Sequence, residues 1–393
     1  MPHFARFFNR RFFVSDDYFD RSVRKQERRE SDIIAYKILF LSGGEKMITE
    51  KIILNEERNV TLTTYLQPVG LEAEFAHIPA RPAILVIPGG GYDYCSDREA
   101  EPVALAYLRA GYQAFVLRYS VQQNKIWPTP LNDYDEAMAL IRSKAEEWHI
   151  IPDKIAVIGF SAGGHLAASA ATMSVNRPNA AILVYAVLDE ASSKEWNETA
   201  PSAVDAVDEN TCPCFLAASR TDTMVPVGNT IAFCAALDKY DISFESHIYS
   251  YAPHGFSLGD NTVRQPGWRV SERIPNWVDD SIGWLKEIFG DFGDQGMTPP
   301  QVGHYALMEH GDTLSVDALI SQIVATEAGK AFFDTMMAQA SGSSAGTPGF
   351  NDDVSISPSV LARFKMRDLL GFAGMSEETI ADIDAQLRKI PRN

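Results

Sequence analysis

Cysteines, long apolar runs and signal-like segments are scarce in this sequence. Its 393 residues include four cysteines, with no Cys-x-x-Cys pair and no histidine cluster at metal-ligand spacing: Cys95, Cys212, Cys214 and Cys234. They are predicted to be reduced structural thiols, and we predict no metal and no other cofactor.

No stretch reaches the roughly 18 apolar residues of a membrane span. Residues 33–41 come nearest to a signal sequence, but they contain Lys37 and lie far from the amino terminus. We therefore predict a cytoplasmic protein that does not enter the membrane.

Positive charge is also in short supply. The chain has 52 acidic residues against 35 lysines and arginines, a formal net charge of −17. Such a chain is repelled by phosphate backbones and by anionic membrane surfaces. Nucleic acid is therefore excluded as an expected partner.

The first 46 residues differ from the rest of the chain. They begin with a stretch rich in Phe and Arg and continue with charged residues that show no clear period. One interpretation is a disordered or weakly helical extension. The other is that translation starts at Met47, because residues 42–46 could be encoded by a purine-rich run that resembles a bacterial ribosome-binding site. We favour the second interpretation.

Residues 47–290 alternate between predicted strands and helices, which indicates an α/β fold with a mostly parallel sheet and helices on both faces. Continuous apolar runs such as 83–88 are typical of strands that are buried on both sides. The predicted strands are 48–54, 60–66, 83–88, 113–119, 154–160, 180–187, 214–219 and 243–249. The predicted helices are 99–110, 131–148, 162–173, 227–239 and 276–289.

The character of the chain changes again after Gly290. Residues 291–303 are rich in Gly, Pro and polar residues and are predicted to be a linker. Residues 304–393 form a predicted small helical module, with helices at 316–340, 359–372 and 376–389 and a flexible stretch at 341–348. This module contains no catalytic constellation, so we expect a structural role or contacts within a homo-oligomer.

The motif Gly159-Phe160-Ser161-Ala162-Gly163 fits Gly-x-Ser-x-Gly. It follows a β-branched strand and opens an alanine-rich helix, which is where a nucleophilic serine must sit on a sharp strand-to-helix turn. Small residues at the two glycine positions allow the strand and the helix to approach each other closely. Ser161 is therefore the predicted nucleophile.

A glycine triplet is the predicted source of oxyanion donors. Pro88-Gly89-Gly90-Gly91-Tyr92 follows the buried strand at 83–88. Consecutive glycines let backbone N–H groups approach a substrate without interference from a Cβ atom. The N–H of Ala162, directly after the nucleophile, is the other predicted donor.

A nucleophilic serine needs a base, and the base needs an orienting acid. For a serine on a strand-to-helix turn of this kind, the acid and then the histidine follow in sequence. His254 follows the last predicted strand and is the predicted base, whereas His165 lies inside the helix after the serine and His247 inside a strand. Asp222, after the strand at 214–219, is the predicted acid, with Asp189 as its rival one strand earlier.

Four segments together resemble a known family: PGGGY at 88–92, GFSAGGHLAAS at 159–169, RTDTMVP at 220–226 and HGF at 254–256. They resemble the bacterial acetyl-esterase branch of the α/β-hydrolases, which includes acetylxylan and feruloyl esterases and members labelled xylanase. The resemblance covers roughly residues 47–290. It implies an α/β-hydrolase fold, a triad of Ser161, Asp222 and His254, and oxyanion donors at Gly90, Gly91 and Ala162. Esterases similar to hormone-sensitive lipase carry His-Gly-Gly-Gly, and Pro88 at the histidine position argues against that group.

The expected function is therefore that of a serine carboxylesterase acting on acetyl or feruloyl esters of plant-derived oligosaccharides. The alternatives are a peptidase of the prolyl-oligopeptidase type, a general short-chain esterase or lipase, and a non-catalytic binding module. The net charge disfavours strongly anionic substrates, so neutral acetylated xylo-oligosaccharides are expected. Tyr92, Tyr94 and Trp127 are candidates for stacking against a sugar or an aromatic ring.

Overall fold

The computed structural model describes residues 35–37, 47–69, 77–301, 312–342 and 357–392. The predicted extension, residues 1–46, lies outside the described residues except for the three-residue strand Ala35–Lys37. That strand pairs antiparallel with the next one. The alternative start at Met47 would therefore remove one short strand from the edge of the sheet.

Among the described residues, nine strands form one sheet. They are β1 (Ala35–Lys37), β2 (Ile48–Asn55), β3 (Val60–Leu66), β4 (Arg81–Ile87), β5 (Gln113–Arg118), β6 (Ile150–Phe160), β7 (Ala180–Val184), β8 (Cys214–Ser219) and β9 (Phe244–Tyr249). Their spatial order is β1-β2-β3-β5-β4-β6-β7-β8-β9. Pairing is antiparallel from β1 to β5 and parallel from β5 to β9. The predicted mostly parallel sheet is confirmed.

Helices cover both faces of this sheet. They are α1 (Glu101–Arg109), α2 (Thr129–Ser143), α3 (Ser161–Met173), α4 (Glu190–Trp196), α5 (Gly228–Lys239) and α6 (Asn276–Phe289). One core contains side chains of α2, α3 and α5 together with Leu85 and Ile87 of β4. The other contains side chains of α1 and α6 together with Ile84 and Val86. Alternate residues of β4 thus enter different cores, which explains why its sequence is continuously apolar.

Two segments that were predicted to be irregular contain regular structure. The helix α4 lies between the predicted strands 180–187 and 214–219, where no regular structure was predicted. The predicted linker begins with a short hairpin of β10 (Phe292–Gly293) and β11 (Gly296–Met297). The guanidinium of Arg81 lies 5.8 Å from the centre of the Phe292 ring. A Cβ atom added to Gly111 would come within 2.6 Å of the same ring. Phe292 thus packs on the sheet domain, so this part of the predicted linker is fixed by tertiary contacts.

The carboxy-terminal part is helical, as predicted, with a core of its own. Its helices are α7 (Ile320–Val324), α8 (Glu327–Gly342), α9 (Pro358–Leu361), α10 (Met366–Phe372) and α11 (Glu377–Leu387). Leu314, Ile323 and Leu370 belong to its buried cluster. The predicted helix 359–372 is divided because Lys365 is extended and forms a β-bridge with Leu319.

Candidate active site

Ser161 lies on a strained turn between β6 and α3. Its φ angle is +53°, a left-handed conformation that is rare for a residue with a side chain. A Cβ atom on Gly159 would lie 2.2 Å from the carbonyl oxygen of Gly163, and one on Gly163 would lie 2.2 Å from that of Pro88. Both glycines of the motif are therefore required by close backbone contacts. The turn has the geometry of a nucleophile elbow.

A continuous chain of hydrogen bonds joins Ser161, His254 and Asp222. The Nδ1 atom of His254 lies 2.7 Å from Oδ2 of Asp222, and its Nε2 atom lies 2.8 Å from Oγ of Ser161. Because a carboxylate can only accept, Nδ1–H is the donor to Asp222. Nε2 is then the acceptor for the serine hydroxyl proton. The structure brings together the three residues predicted as the triad.

Asp222 is held by backbone donors as well as by the histidine. Its side chain is 1% exposed, and Oδ1 accepts hydrogen bonds from the N–H groups of Met224 and Val225 at 2.9 and 3.0 Å. The rival acid, Asp189, has a different position. It is the N-cap of α4 and accepts a hydrogen bond from the N–H of Ser192 at 2.7 Å. The geometry therefore favours Asp222 as the partner of the histidine.

The glycine loop, residues 88–92, lies against the nucleophile. A Cβ atom on Gly89 would come within 3.0 Å of the Cβ of Ser161. Gly90 and Gly91 have φ angles of +131° and +64°, which glycine adopts at little cost. No described residue accepts a hydrogen bond from the N–H groups of Gly90, Gly91 or Ala162. The predicted oxyanion donors are thus unpaired within the described part of the chain.

A buried carboxylate links the glycine loop to the histidine loop, residues 252–257. Glu99 accepts a hydrogen bond from the N–H of Gly89 at 2.9 Å and another from the Tyr185 hydroxyl at 2.7 Å. The N–H of Ser257 donates to the same hydroxyl at 3.0 Å. The Tyr185 ring also packs edge-on against the His254 imidazole, with centroids 5.1 Å apart. Burial raises the pKa of Glu99 above its ordinary value, while the bonds from Tyr185 and Gly89 oppose this shift.

Sequence reasoning missed this network. Glu99 was predicted to be the first residue of a helix, and Tyr185 lies within a predicted strand. A sign in the sequence was that an acidic residue follows the glycine triplet closely and precedes an apolar helix. That signal is weak, because an acidic residue is ordinary at a helix start.

Of the three residues predicted to stack against a ligand, Tyr92 was predicted wrongly. Its side chain is 1% exposed, and its hydroxyl lies 2.6 Å from Nδ1 of His165. A ring in this position packs in the core and offers no face to a sugar. Tyr94 is 61% exposed, and Trp127 is half-buried with its ring 5.4 Å from that of His165. Both remain accessible to a ligand.

His165 is buried and structural. Its Nε2–H donates to the carbonyl oxygen of Pro201 at 2.8 Å, so Nδ1 is the acceptor for the Tyr92 hydroxyl. Burial lowers the pKa of His165 to about 4. His247, the histidine inside a predicted strand, lies in β9 and stacks on Phe215 with the ring centroids 5.2 Å apart.

A cavity of about 1000 Å³ opens beside His254. Its walls come from the loop after β8, from the histidine loop and from residues 264–270.

Within the described ranges, no group of three or more His, Cys, Asp or Glu residues has an arrangement that could hold a metal ion. No helix in the same ranges is both long and apolar enough to cross a membrane.

Comparison with known proteins places this site in a family context. The family model BD-FAE matches residues 75–194, a stretch that contains the glycine loop and Ser161 and ends before Asp222. The chain is 30% identical over 222 residues to Endo-1,4-beta-xylanase B of Butyrivibrio fibrisolvens, covering 49% of this chain and 35% of that protein. It is 30% identical over 232 residues to the acetylxylan esterase of Xylanibacter ruminicola, covering 53% of this chain and 46% of the relative. The chain thus spans less than half the length of these two relatives.

One solved structure is matched over nearly all of its own length. MGS-M1, an alpha/beta hydrolase enzyme from a Medee basin deep-sea metagenome library, is 42% identical. The match has a TM-score of 0.57 and covers 62% of this chain and 98% of that protein. The predicted fold class is thereby confirmed. The chain belongs to the α/β-hydrolase family and, within it, resembles the branch of acetylxylan and feruloyl esterases.

Proposed function

We propose that this protein is a serine carboxylesterase that removes acetyl groups from plant-derived oligosaccharides through an acyl-enzyme intermediate. The observation that carries the proposal is the unbroken hydrogen-bond chain from Asp222 through His254 to Ser161, beside a loop with free N–H groups. The acetyl preference is supported by the similarity to a protein named acetylxylan esterase. In this proposal residues 47–290 form the catalytic domain, residues 304–393 a separate helical module, and the enzyme acts in the cytoplasm.

The first half-reaction forms the acyl-enzyme. Nε2 of His254 takes the hydroxyl proton while Oγ of Ser161 attacks the ester carbonyl carbon. The negative charge on the carbonyl oxygen is stabilised by the N–H groups of Gly90, Gly91 and Ala162, and by the positive end of the α3 dipole. The imidazolium, oriented by Asp222, then gives its proton to the leaving alcohol oxygen, and the C–O bond of the ester breaks.

The second half-reaction releases the acid. A water molecule gives a proton to Nε2 of His254 and attacks the acetyl carbon, which forms a second tetrahedral oxyanion at the same N–H groups. Collapse of this intermediate returns the proton to Oγ of Ser161 and frees acetate. Because the same groups serve both steps, loss of any one of them should slow both.

Hydroxycinnamoyl esters are the second candidate substrate, because BD-FAE is a feruloyl-esterase-like family model. Its match covers the nucleophile and the glycine loop. A panel of esters on purified protein tests both. We expect turnover of p-nitrophenyl acetate and of acetylated xylo-oligosaccharides, with a lower kcat/KM for esters of more than about eight acyl carbons. Faster cleavage of methyl ferulate would select the second candidate, and hydrolysis of an aminoacyl-proline amide alone would contradict both. Absence of turnover and of fluorophosphonate labelling at Ser161 would contradict a serine hydrolase altogether.

A further inference from the structure

The cavity beside His254 lies on the side where the leaving alcohol must depart. His254 belongs to its lining, whereas Ser161 and the glycine loop do not. In the proposed reaction the histidine gives its proton to the leaving oxygen, and the acyl oxygen points to the glycine loop. The cavity is therefore placed to hold the alcohol part of an ester, which in an acetylated oligosaccharide is the sugar.

The charge of this cavity is opposite to that of the whole chain. Arg264 and Arg269 line it, and its lining includes no aspartate or glutamate. Both arginines are exposed, and neither forms an ion pair with a described residue. The net charge of −17 belongs to the whole chain, and ionic screening weakens interactions between exposed charges beyond about 8 Å at physiological ionic strength. Arg264 and Arg269 are therefore the permanently charged residues that a ligand meets in the lining of the cavity.

The cavity wall also has aromatic surface that is held in place. Trp268 is half-buried in the lining, and the guanidinium of Arg98 lies 5.2 Å from the centre of its ring. Nη1 of Arg98 donates to the carbonyl oxygens of Gly255 and Val263 at 3.1 and 3.0 Å. One side chain thus ties the histidine loop to the segment that carries Trp268. Tyr251, 46% exposed, supplies a second ring.

Aromatic rings bind the apolar face of a sugar, and guanidinium groups bind oxyanions through paired N–H donors. The geometry points to an anionic sugar, bearing a carboxylate or a phosphate, as the alcohol part of the preferred ester. This inference rests on the proposed esterase function, and it replaces the neutral oligosaccharide that net charge alone favours. A carboxylate and a phosphate would both present an oxyanion to the two arginines, and the experiment below distinguishes between them.

The test compares the acetyl esters of three sugars that differ only in the group at C6. They are a methyl glucoside, a methyl glucuronoside and a methyl glucoside 6-phosphate. Because exposed guanidinium groups are partly screened, we expect kcat/KM to be about tenfold higher for an anionic ester than for the neutral one. The preference should shrink in 0.5 M NaCl. In an Arg264→Gln/Arg269→Gln double variant, the ratio of anionic to neutral kcat/KM should fall to about one.

Arg109 provides a matched control, because it is exposed at the end of α1 and its removal changes the net charge without altering the cavity. Arg109→Gln should keep both the basal activity and the wild-type ratio. A larger ratio for the glucuronoside identifies a sugar carboxylate, and a larger ratio for the phosphate identifies a sugar phosphate. A ratio near one in the wild type, or an unchanged ratio in the double variant, overturns the inference.

Direct binding separates this inference from the proposed function. Methyl glucuronoside and methyl glucoside 6-phosphate, both without acetyl groups, are titrated calorimetrically into the Ser161→Ala variant with and without the two arginine changes. At least one should bind, and the arginine changes should weaken it about tenfold. Failure to cleave any ester, together with arginine-dependent binding, contradicts the esterase and leaves the anionic site in place. Ester cleavage without arginine-dependent binding contradicts the anionic site alone.

Discussion

The two loops that flank Ser161 are both anchored by hydrogen bonds, but only the histidine loop lines the large cavity. The glycine loop is held by one hydrogen bond from the N–H of Gly89 to Glu99 and by the burial of Tyr92. The histidine loop carries a side chain that is 11% exposed and opens on a large cavity. Donors that stabilise an oxyanion work best when they are preorganised and need no rearrangement. The group that exchanges protons with a departing alcohol, by contrast, must be reachable.

Removal of the nucleophile or of the base should have the largest effect. Ser161→Ala and His254→Ala are each expected to lower kcat by about 10⁶, because the two side chains act as one unit. Steady-state hydrolysis of p-nitrophenyl acetate measures the loss, with circular dichroism to check the fold. Retention of more than about a hundredth of the activity in His254→Ala would show that the histidine loop does not supply the base.

Replacement of the acid should be milder. Asp222→Asn is expected to lower kcat by about 10⁴, because the amide no longer favours the tautomer with a proton on Nδ1. Asp189→Asn is the matched control, since asparagine is an equally good N-cap for α4 and the change should leave kcat near the wild-type value. A severe loss in Asp189→Asn with a mild one in Asp222→Asn would reverse the assignment.

The rigidity of the glycine loop can be tested with one methyl group. A Cβ atom at Gly90 would lie 2.1 Å from the carbonyl oxygen of Tyr94. Gly90→Ala should therefore displace the loop and reduce kcat by about 10²–10³, the usual cost of a lost oxyanion donor. Gly228→Ala is the control, because an added Cβ meets no atom within 4 Å at the start of α5. Equal activities in the two variants would contradict a role for the glycine loop.

The smallest expected effect is on stability. The folded His165 has a pKa of about 4, lowered from 6.5 by burial, so the unfolded chain binds a proton that the folded chain does not. Its contribution to the free energy of unfolding is present above pH 6.5 and declines towards pH 4, by about 1.4 kcal/mol per pH unit. We expect the wild type to lose about 2 kcal/mol from this group between pH 7 and pH 5, measured by urea unfolding.

The His165→Gln variant isolates that contribution. Glutamine can accept from Tyr92 and donate to Pro201, but it does not titrate. It should be less stable at pH 7 and show a smaller loss between pH 7 and pH 5. If the free energy of unfolding falls equally with pH in both proteins, His165 is not the group responsible for the loss.

The sequence by itself determined the strand and helix alternation and the three residues that the structure joins by hydrogen bonds. These signals are local: buried strands are apolar runs, the elbow needs its glycines, and acid and base follow strands whose carboxyl ends share one edge. Only the tertiary structure decided that Glu99 and Tyr185 bridge the two loops, that Tyr92 is buried, and that two arginines without ion-pair partners among the described residues line the cavity beside His254. Those facts depend on how side chains far apart in sequence pack against each other. Such packing leaves no periodic signal in the chain.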